Sequence, residues 1–289
     1  MEAIAPRERR PGVTGVVRVP MFAAVLVFVL LAGPAAAGTL ADIIARGEIV
    51  AGTKADYRPY GFRDKDGRII GIEPDLAADI AARLGVKLRL EPVTPANRIQ
   101  MLEERKVDLI IATMAITEER SKAVSFVSPA YYAAGIGGLA APGSGIRSED
   151  DLKGKAVCAV KGNVANEELQ RVYVQRELVA FDTIPEAGQG LQQGRCTVFA
   201  YDDAALLALR KHAPDTWKDY NYVEFTAIDP LPWGIALRLE DGPGPLARIL
   251  SKVVLDWHAS GRLARLEKKW LDKNTRWVAG IREKYRRQP

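Results

Sequence analysis

Residues 107–132 read VDLIIATMAITEERSKAVSFVSPAYY, and the fold follows from how this stretch changes character along its length. Residues 107–112 form a short, mainly apolar run bounded by polar residues. Such a run predicts a strand buried on both faces, as in a parallel sheet. Thr117 then stands where a helix N-cap would, with Glu118 and Glu119 in the first turn. Arg120 falls near the third helical position. A cation there opposes the helix dipole by a few tenths to ~1 kcal/mol. The arginine is therefore either solvated or held there for an anion. It follows a strand end and a helix start, where open α/β sheets bind their ligands, and this position favours the anion.

Outward from that stretch, strands and helices alternate. Toward the N-terminus, residues 48–52 predict a strand, 53–62 a loop after its carboxyl end, and Asp66-Gly67 a small hairpin turn. Leu76, Ile80 and Leu84 recur at helical spacing beside Ala77 and Ala81, and Gly85 suits the C-cap. Glu73 and Asp75 read as first-turn carboxylates of that helix. Residues 86–90 predict a strand and 97–104 a short helix, so the order to this point argues a parallel sheet.

Toward the C-terminus, residues 133–138 (AAGIGG) lack helix or strand periodicity. Their spacing is wrong for a nucleotide-binding glycine loop, and they read as a hinge strand crossing to a second lobe. A capped turn at 148–153 follows, then strands at 156–160, 179–182 and 198–201, with helices after 163 through Tyr173, at 185–193 and at 203–212. Residues 226–233 (TAIDPLPW) read as the return crossing, 234–238 re-enter the first lobe, and 246–260 is an amphipathic helix. Two crossings imply an α/β fold of two Rossmann-like lobes joined by two hinge strands, a body that can shut like a clam. Lobe 1 is expected at 38–133 plus 232–289 and lobe 2 at 137–227, with hinges near 133–138 and 226–233.

Composition agrees with a globular chain: 289 residues, 48% hydrophobic and 27% charged. The formal net charge of +5 is spread among interleaved acids and bases, apart from a basic tail at 282–287 that reads as a solvated end rather than a nucleic-acid patch. Arg7, Arg9, Arg10 and Arg18 precede an apolar run at 21–32, and Gly33-Pro34 and Ala35-Ala36-Ala37 follow it. That is the layout of a secretory signal, too short for a comfortable membrane span, with cleavage expected after Ala37. No cysteine follows the run, so no lipid anchor is expected, and periplasmic location is. Cys158 and Cys196 each border a strand of the second lobe; a disulfide between neighbours and two buried thiols both remain open. With only those cysteines plus His212 and His258, no metal or other cofactor is expected.

The pattern VDLI-IATMAIT-EER-SKAVSFVSPAYY resembles the signature of the family 3 solute-binding proteins, the periplasmic amino-acid receptors of ABC importers. The similarity extends to VAGTKADYRPY at 50–60 and SEDDLKGK at 148–155, and runs from about Ile49 to Leu271. It implies a type II periplasmic-binding-protein fold, an ABC permease as partner, a monomer, and binding without catalysis. It also implies that Arg120 grips a ligand α-carboxylate and that Thr113 supplies a hydroxyl or backbone donor beside it. Asn163 stands where members carry Thr or Ser, so there the backbone donor transfers better than the side chain. GRCTVFAYDDAALLA at 194–208 resembles the segment whose last aspartate binds the α-amino group, which assigns Asp202; Asp203 reads as a helix cap. Thr197 departs from that segment, and Ala115 departs from members with a hydroxyl.

Tyr57 takes the place of the family's aromatic wall. Lys54 and the Asn97-Arg98-Ile99 triplet resemble glutamate and aspartate receptors, where they would pair a distal carboxylate; plain surface charge is the alternative for Lys54 and Arg98. Two other functions use the same scaffold. A cyclohexadienyl dehydratase would need an acid or base aimed at a ring, for which Glu167 and Glu168 are the nearest candidates. A soluble sensor subunit would need a membrane kinase as its partner.

Overall fold

The computed structural model describes residues 39–172, 177–271, 275 and 277–280. The expected signal segment, the basic tail and the end of the helix through Tyr173 lie outside the described residues.

The first half builds one sheet. Helix α1 (Thr39–Arg46) leads into β1 (Glu48–Thr53), which is buried from Ile49 onward, as a central strand must be. Strands β2 (Asp56–Tyr57), β3 (Gly61–Arg63) and β4 (Ile69–Ile70) form a small antiparallel sheet around the expected turn. Helix α2 (Ile72–Leu84) buries Leu76, Ala77, Ile80 and Ala81, and stops at Gly85 in the left-handed conformation. Then come β5 (Lys87–Pro92), α3 (Arg98–Glu103), β6 (Leu109–Ile110), the single-turn α4 (Glu118–Ser121) and β7 (Val124–Phe126).

The chain leaves this sheet through β8 (Tyr132–Ala134) and enters a second one at β9 (Ile136–Ala140). That sheet is completed by β10 (Val157–Val160), α5 (Val164–Val172), β11 (Leu178–Phe181), α6 (Ile184–Gln192), β12 (Val198–Asp202), α7 (Asp203–His212), α8 (Pro214–Trp217) and β13 (Asn221–Glu224). The chain returns through β14 (Leu231–Trp233) to β15 (Ala236–Arg238), and α9 (Pro245–Ala259) and α10 (Arg262–Leu271) follow.

The strand orders are β5-β1-β6-β15-β7 and β11-β10-β12-β9-β13. In each sheet three strands run parallel, and the strand that arrives from a crossing is inserted antiparallel in fourth place. The fold is α/β with two Rossmann-like lobes, one on each sheet. The crossing strands pair with each other, Leu231 opposite Ala134 and Trp233 opposite Tyr132. Trp233 anchors an aromatic cluster there, with ring centroids 4.9 Å from Tyr60, 5.3 Å from Tyr132 and 6.1 Å from Tyr57.

Several expectations change. Only Leu109 and Ile110 of residues 107–112 join the ladder, because the chain must turn toward Thr113, whose φ is +46°. The glycine-rich crossing is shorter than expected, since Ile136–Ala140 is a strand buried along its whole length. Its glycines carry no periodic signal for a packing reason. A Cβ on Gly137 would stand 2.9 Å from Tyr222, and one on Gly138 would stand 2.8 Å from Val198. β7, α8 and β13 are too short to leave a periodic trace. Cys158 and Cys196 are joined as a disulfide, with Cα atoms 5.5 Å apart, tying β10 to the approach to β12.

Candidate functional site

The carboxyl ends of the parallel strands in both sheets point at one place. β1 delivers Lys54 and Tyr57, β5 leads to Arg98, and β6 leads to Thr113 and Arg120; on the other side β10 leads to Asn163 and β12 ends in Asp202. In open α/β sheets this edge holds ligands, and here two such edges face each other.

Arg120 is buried at the third position of α4, its amide held by the Thr117 side chain. Its guanidinium donates to Ala115 O at 3.0 Å and, across the gap, to Gly162 O at 3.1 Å. Burial lowers its pKa. Gly162 has φ +71°, and a Cβ there would stand 2.8 Å from the backbone of Pro95 and Ala96, so only glycine lets the two lobes meet at this point. Asp202 is 3% exposed and accepts from Asn163 Nδ2 at 3.2 Å. Burial raises its pKa to about 6, with the Tyr57 hydroxyl nearby favouring the ionised form. It makes no cap bond to α7; Asp203 instead accepts from the Ala204 amide.

Lys54 and Arg98 are not surface charges. Lys54 is fully buried and pairs with Asp56 at 2.8 Å. Burial lowers its pKa despite that partner. Arg98 is 2% exposed and donates to Ala112 O at 2.7 Å, and burial together with nearby Arg120 brings its pKa down to about 9. The short α3 turns Arg98 inward because the Thr94 and Asn97 hydrogen bonds fix its start. Tyr57 is packed edge-on against Tyr60 and Tyr201, at 5.2 Å and 5.7 Å.

Two expected donors are already engaged. The Asn163 amide donates to Val160 O at 3.1 Å, closing the turn at Gly162, so it is the Asn163 side chain that reaches Asp202. Its Oδ1 accepts the Ala165 amide at 2.7 Å and caps α5. The Thr113 amide donates to Glu73 at 2.6 Å. Glu73 is the residue whose further role sequence reasoning missed. It is a first-turn carboxylate of α2 as expected, but it is fully buried, and it also accepts from the Tyr131 hydroxyl. Burial raises its pKa to about 7. The left-handed Thr113 needs a fixed acceptor for its amide, which the first turn of α2 supplies. Asp75 has a separate structural task, accepting from Trp270 Nε1 at 2.8 Å and Lys269 at 2.7 Å.

Within the described residues, Thr53 Oγ1, Glu73 Oε2 and Arg98 Nε are buried here without a protein hydrogen-bond partner. Buried polar atoms in native proteins are almost always paired, which makes this locus the candidate site. No cluster of His, Cys, Asp or Glu among the described residues has the arrangement of a metal site. No described helix is long and apolar enough to cross a membrane. Of the two carboxylates considered for an enzyme, Glu167 lies close enough for its charge to act on Arg120. Glu168 is bonded to Arg171 at 2.6 Å, and Glu167 is exposed.

Residues 49–273 match the model of the bacterial extracellular solute-binding proteins, family 3. The chain belongs to that family. By that description it is a family of binding proteins. The glutamine-binding protein GlnH of Bacillus subtilis is 33% identical over 238 residues, 81% of this chain and 84% of that one. Among solved structures, a mutant of the arginine-binding protein ArgBP from T. maritima has a TM-score of 0.73 at 32% identity, covering 81% of this family 3 chain and all of its own. An ancestral amino acid-binding protein, described as a precursor of cyclohexadienyl dehydratase, has a TM-score of 0.72 at 30% identity, covering 81% and 99%.

Proposed function

We propose that this family 3 protein captures a polar amino acid between its lobes, with an acidic one fitting best, and hands it to an ABC-type permease. The observation that carries the reading is the placement of opposite charges on opposite lobes. Arg120 stands on the first and Asp202 on the second, both buried at one cleft. A zwitterion answers both at once, because a buried charge without a partner costs several kcal/mol or more. Arg120 takes the α-carboxylate through its planar fork. Asp202 takes the α-ammonium, with Asn163 orienting it. Thr113 offers its hydroxyl, and Tyr57 walls the pocket.

The relatives' names cover different amino acids, so the ligand class has to come from this pocket. Lys54, Arg98 and Arg120 face Asp56, Asp202 and Glu73, and Glu73 is only partly ionised near neutral pH. Lys54 and Arg98 are the buried cations that a second ligand carboxylate would meet. Closure is a population shift driven by contacts to both lobes. The crossings, 133–135 now that β9 shortens the first, and 226–233, serve as the hinges between lobe 1 (38–133 and 232–289) and lobe 2 (137–227). The resemblance to exported receptors supports a periplasmic, monomeric protein with a cleaved leader.

Calorimetry of ligand-stripped protein against the common amino acids tests this directly. Heat is expected with glutamate, aspartate or another polar amino acid; a silent panel, with citrate or a sugar binding instead, overturns it. The side-chain assignment has its own test. Lys54→Gln keeps a hydrogen-bond donor for Asp56 but removes the charge. A charge-assisted hydrogen bond contributes about 1.5–3 kcal/mol, so glutamate should lose roughly ten- to a hundredfold relative to glutamine. Unchanged discrimination between the two would reject Lys54 as the distal-carboxylate partner.

A further inference from the structure

Asp56 lies outside the set of side chains that sequence reasoning placed in the site, yet it touches both halves of the molecule. One carboxylate oxygen pairs with Lys54 at 2.8 Å. The other accepts the Ile184 amide at 3.2 Å, across the cleft at the start of α6. What α6 does with its remaining N-terminal amides shows why this matters. Pro185 has none to offer. Glu186 donates to Thr183 Oγ1 at 3.3 Å, and Ala187 donates to Thr183 O at 3.1 Å. The Glu186 carboxylate in turn takes the amides of Asp182 and Thr183, each at 3.1 Å. The capping box thus satisfies every early donor of this helix except Ile184, and the first lobe supplies the acceptor for it. A carboxylate at a helix N-terminus also meets the positive end of the dipole.

We infer that Asp56 is a closure latch: it completes the cap of α6 only when the lobes are shut, and through Lys54 it ties that cap to the ligand pocket. The inference rests on the proposed reading of the cleft only for its ligand side. The latch itself is a contact between two lobes of one chain. Asp56 is a positioning residue in this scheme, since it holds Lys54 in place for ligand and does not grip the ligand itself. Its two oxygens have separable tasks. Asp56→Asn keeps an acceptor for the Ile184 amide and loses the ion pair with Lys54. Asp56→Ala loses both.

The experiment reads the lobe separation directly. Spin labels at Lys65→Cys and Gln193→Cys, both exposed and on opposite lobes, report the distance distribution in the ligand-free full chain and with saturating L-glutamate. Asp56→Ala is expected to shift the ligand-free distribution toward the open distance and to speed glutamate release at least tenfold. Both Asp56 variants remove the ion-pair partner of the buried Lys54, so both should melt below the parent, and the latch is read from the lobe distances in which they differ. Asp56→Asn should retain most of the closed population. A ligand-free distribution in Asp56→Ala identical to that of the parent overturns the latch, and so does an open distribution in Asp56→Asn as large as that of Asp56→Ala. If the parent binds no amino acid, the function proposed above fails, but the ligand-free distances still decide the latch.

Discussion

Arg120→Ala should abolish measurable amino-acid binding while leaving the fold in place. The guanidinium is buried at the third position of α4, and its protein partners are two backbone carbonyls, Ala115 O and Gly162 O. Removing it breaks no hydrogen-bonded ion pair within the protein, although Glu167 and Asp202 lose a nearby positive charge. It does strand the ligand carboxylate in a site whose other cations, Lys54 and Arg98, are engaged with Asp56 and Ala112 O. Truncating one partner of a buried, hydrogen-bonded charge pair costs about 2–5 kcal/mol or more, which is roughly thirty- to several-thousand-fold in Kd. Arg120→Lys keeps the charge and loses the fork, so it should recover only part of the affinity. Calorimetry reads the loss, and circular dichroism checks the fold. Parent-like heat from Arg120→Ala would remove the arginine from the site.

Asp202→Asn should do two opposite things, weakening binding by a similar factor and raising the stability of the ligand-free protein. The substitution keeps the oxygen that accepts from Asn163 and removes the charge that would hold the ligand ammonium. The stability gain follows from the sign of the pKa shift. Burial raises the Asp202 pKa from 3.8 to about 6, so the folded protein retains a proton that the unfolded chain gives up. Its contribution to stability is present below the unfolded value, falls as pH rises toward 6, and stays lost above it. The penalty at neutral pH is as large as about 3 kcal/mol, and asparagine does not incur it. Thermal melts of both proteins from pH 3.5 to 7.5 should therefore diverge as pH rises. Glu73, whose pKa is raised to about 7, titrates in an overlapping window in both proteins and cancels in the difference. Parallel melts across this range would contradict the buried, high-energy carboxylate. Binding to the parent should weaken below pH 6, where Asp202 takes up its proton.

The position of Arg120 was legible in sequence because local rules fix it: Thr117 sets the helix start, and a cation at that point needs a reason. Asp202 was assigned from the family resemblance of its segment, and the structure buries it at a strand end while Asp203 takes the cap bond. Lys54 and Arg98 are different. Each is ambiguous alone, and burial comes only when the ends of β1, β5 and β6 converge, with Asp56 two residues on pairing Lys54 and Ala112 O accepting from Arg98. Glu73 was read only in part because a carboxylate in a helix first turn is usually explained by the dipole. The left-handed Thr113, 40 residues away, gives it another use, and nothing in the local pattern signals that. The alternation of strands and helices conveyed the two-lobed plan. It missed β7 and β13, since strands of three and four residues are placed by their neighbours rather than by their own periodicity.

The strand order has a consequence for how the protein is made. β7 sits at the end of its sheet and has one neighbour there, β15, which lies about 110 residues later, from Phe126 to Ala236. The other sheet needs only the contiguous stretch from Ile136 to Glu224. Wherever the chain folds as it is delivered from its N-terminus, the sheet of the middle stretch can be completed while the first sheet still waits for β15. Strands β5, β1 and β6 thus precede the second sheet in sequence, yet their own sheet gains its last strand after it.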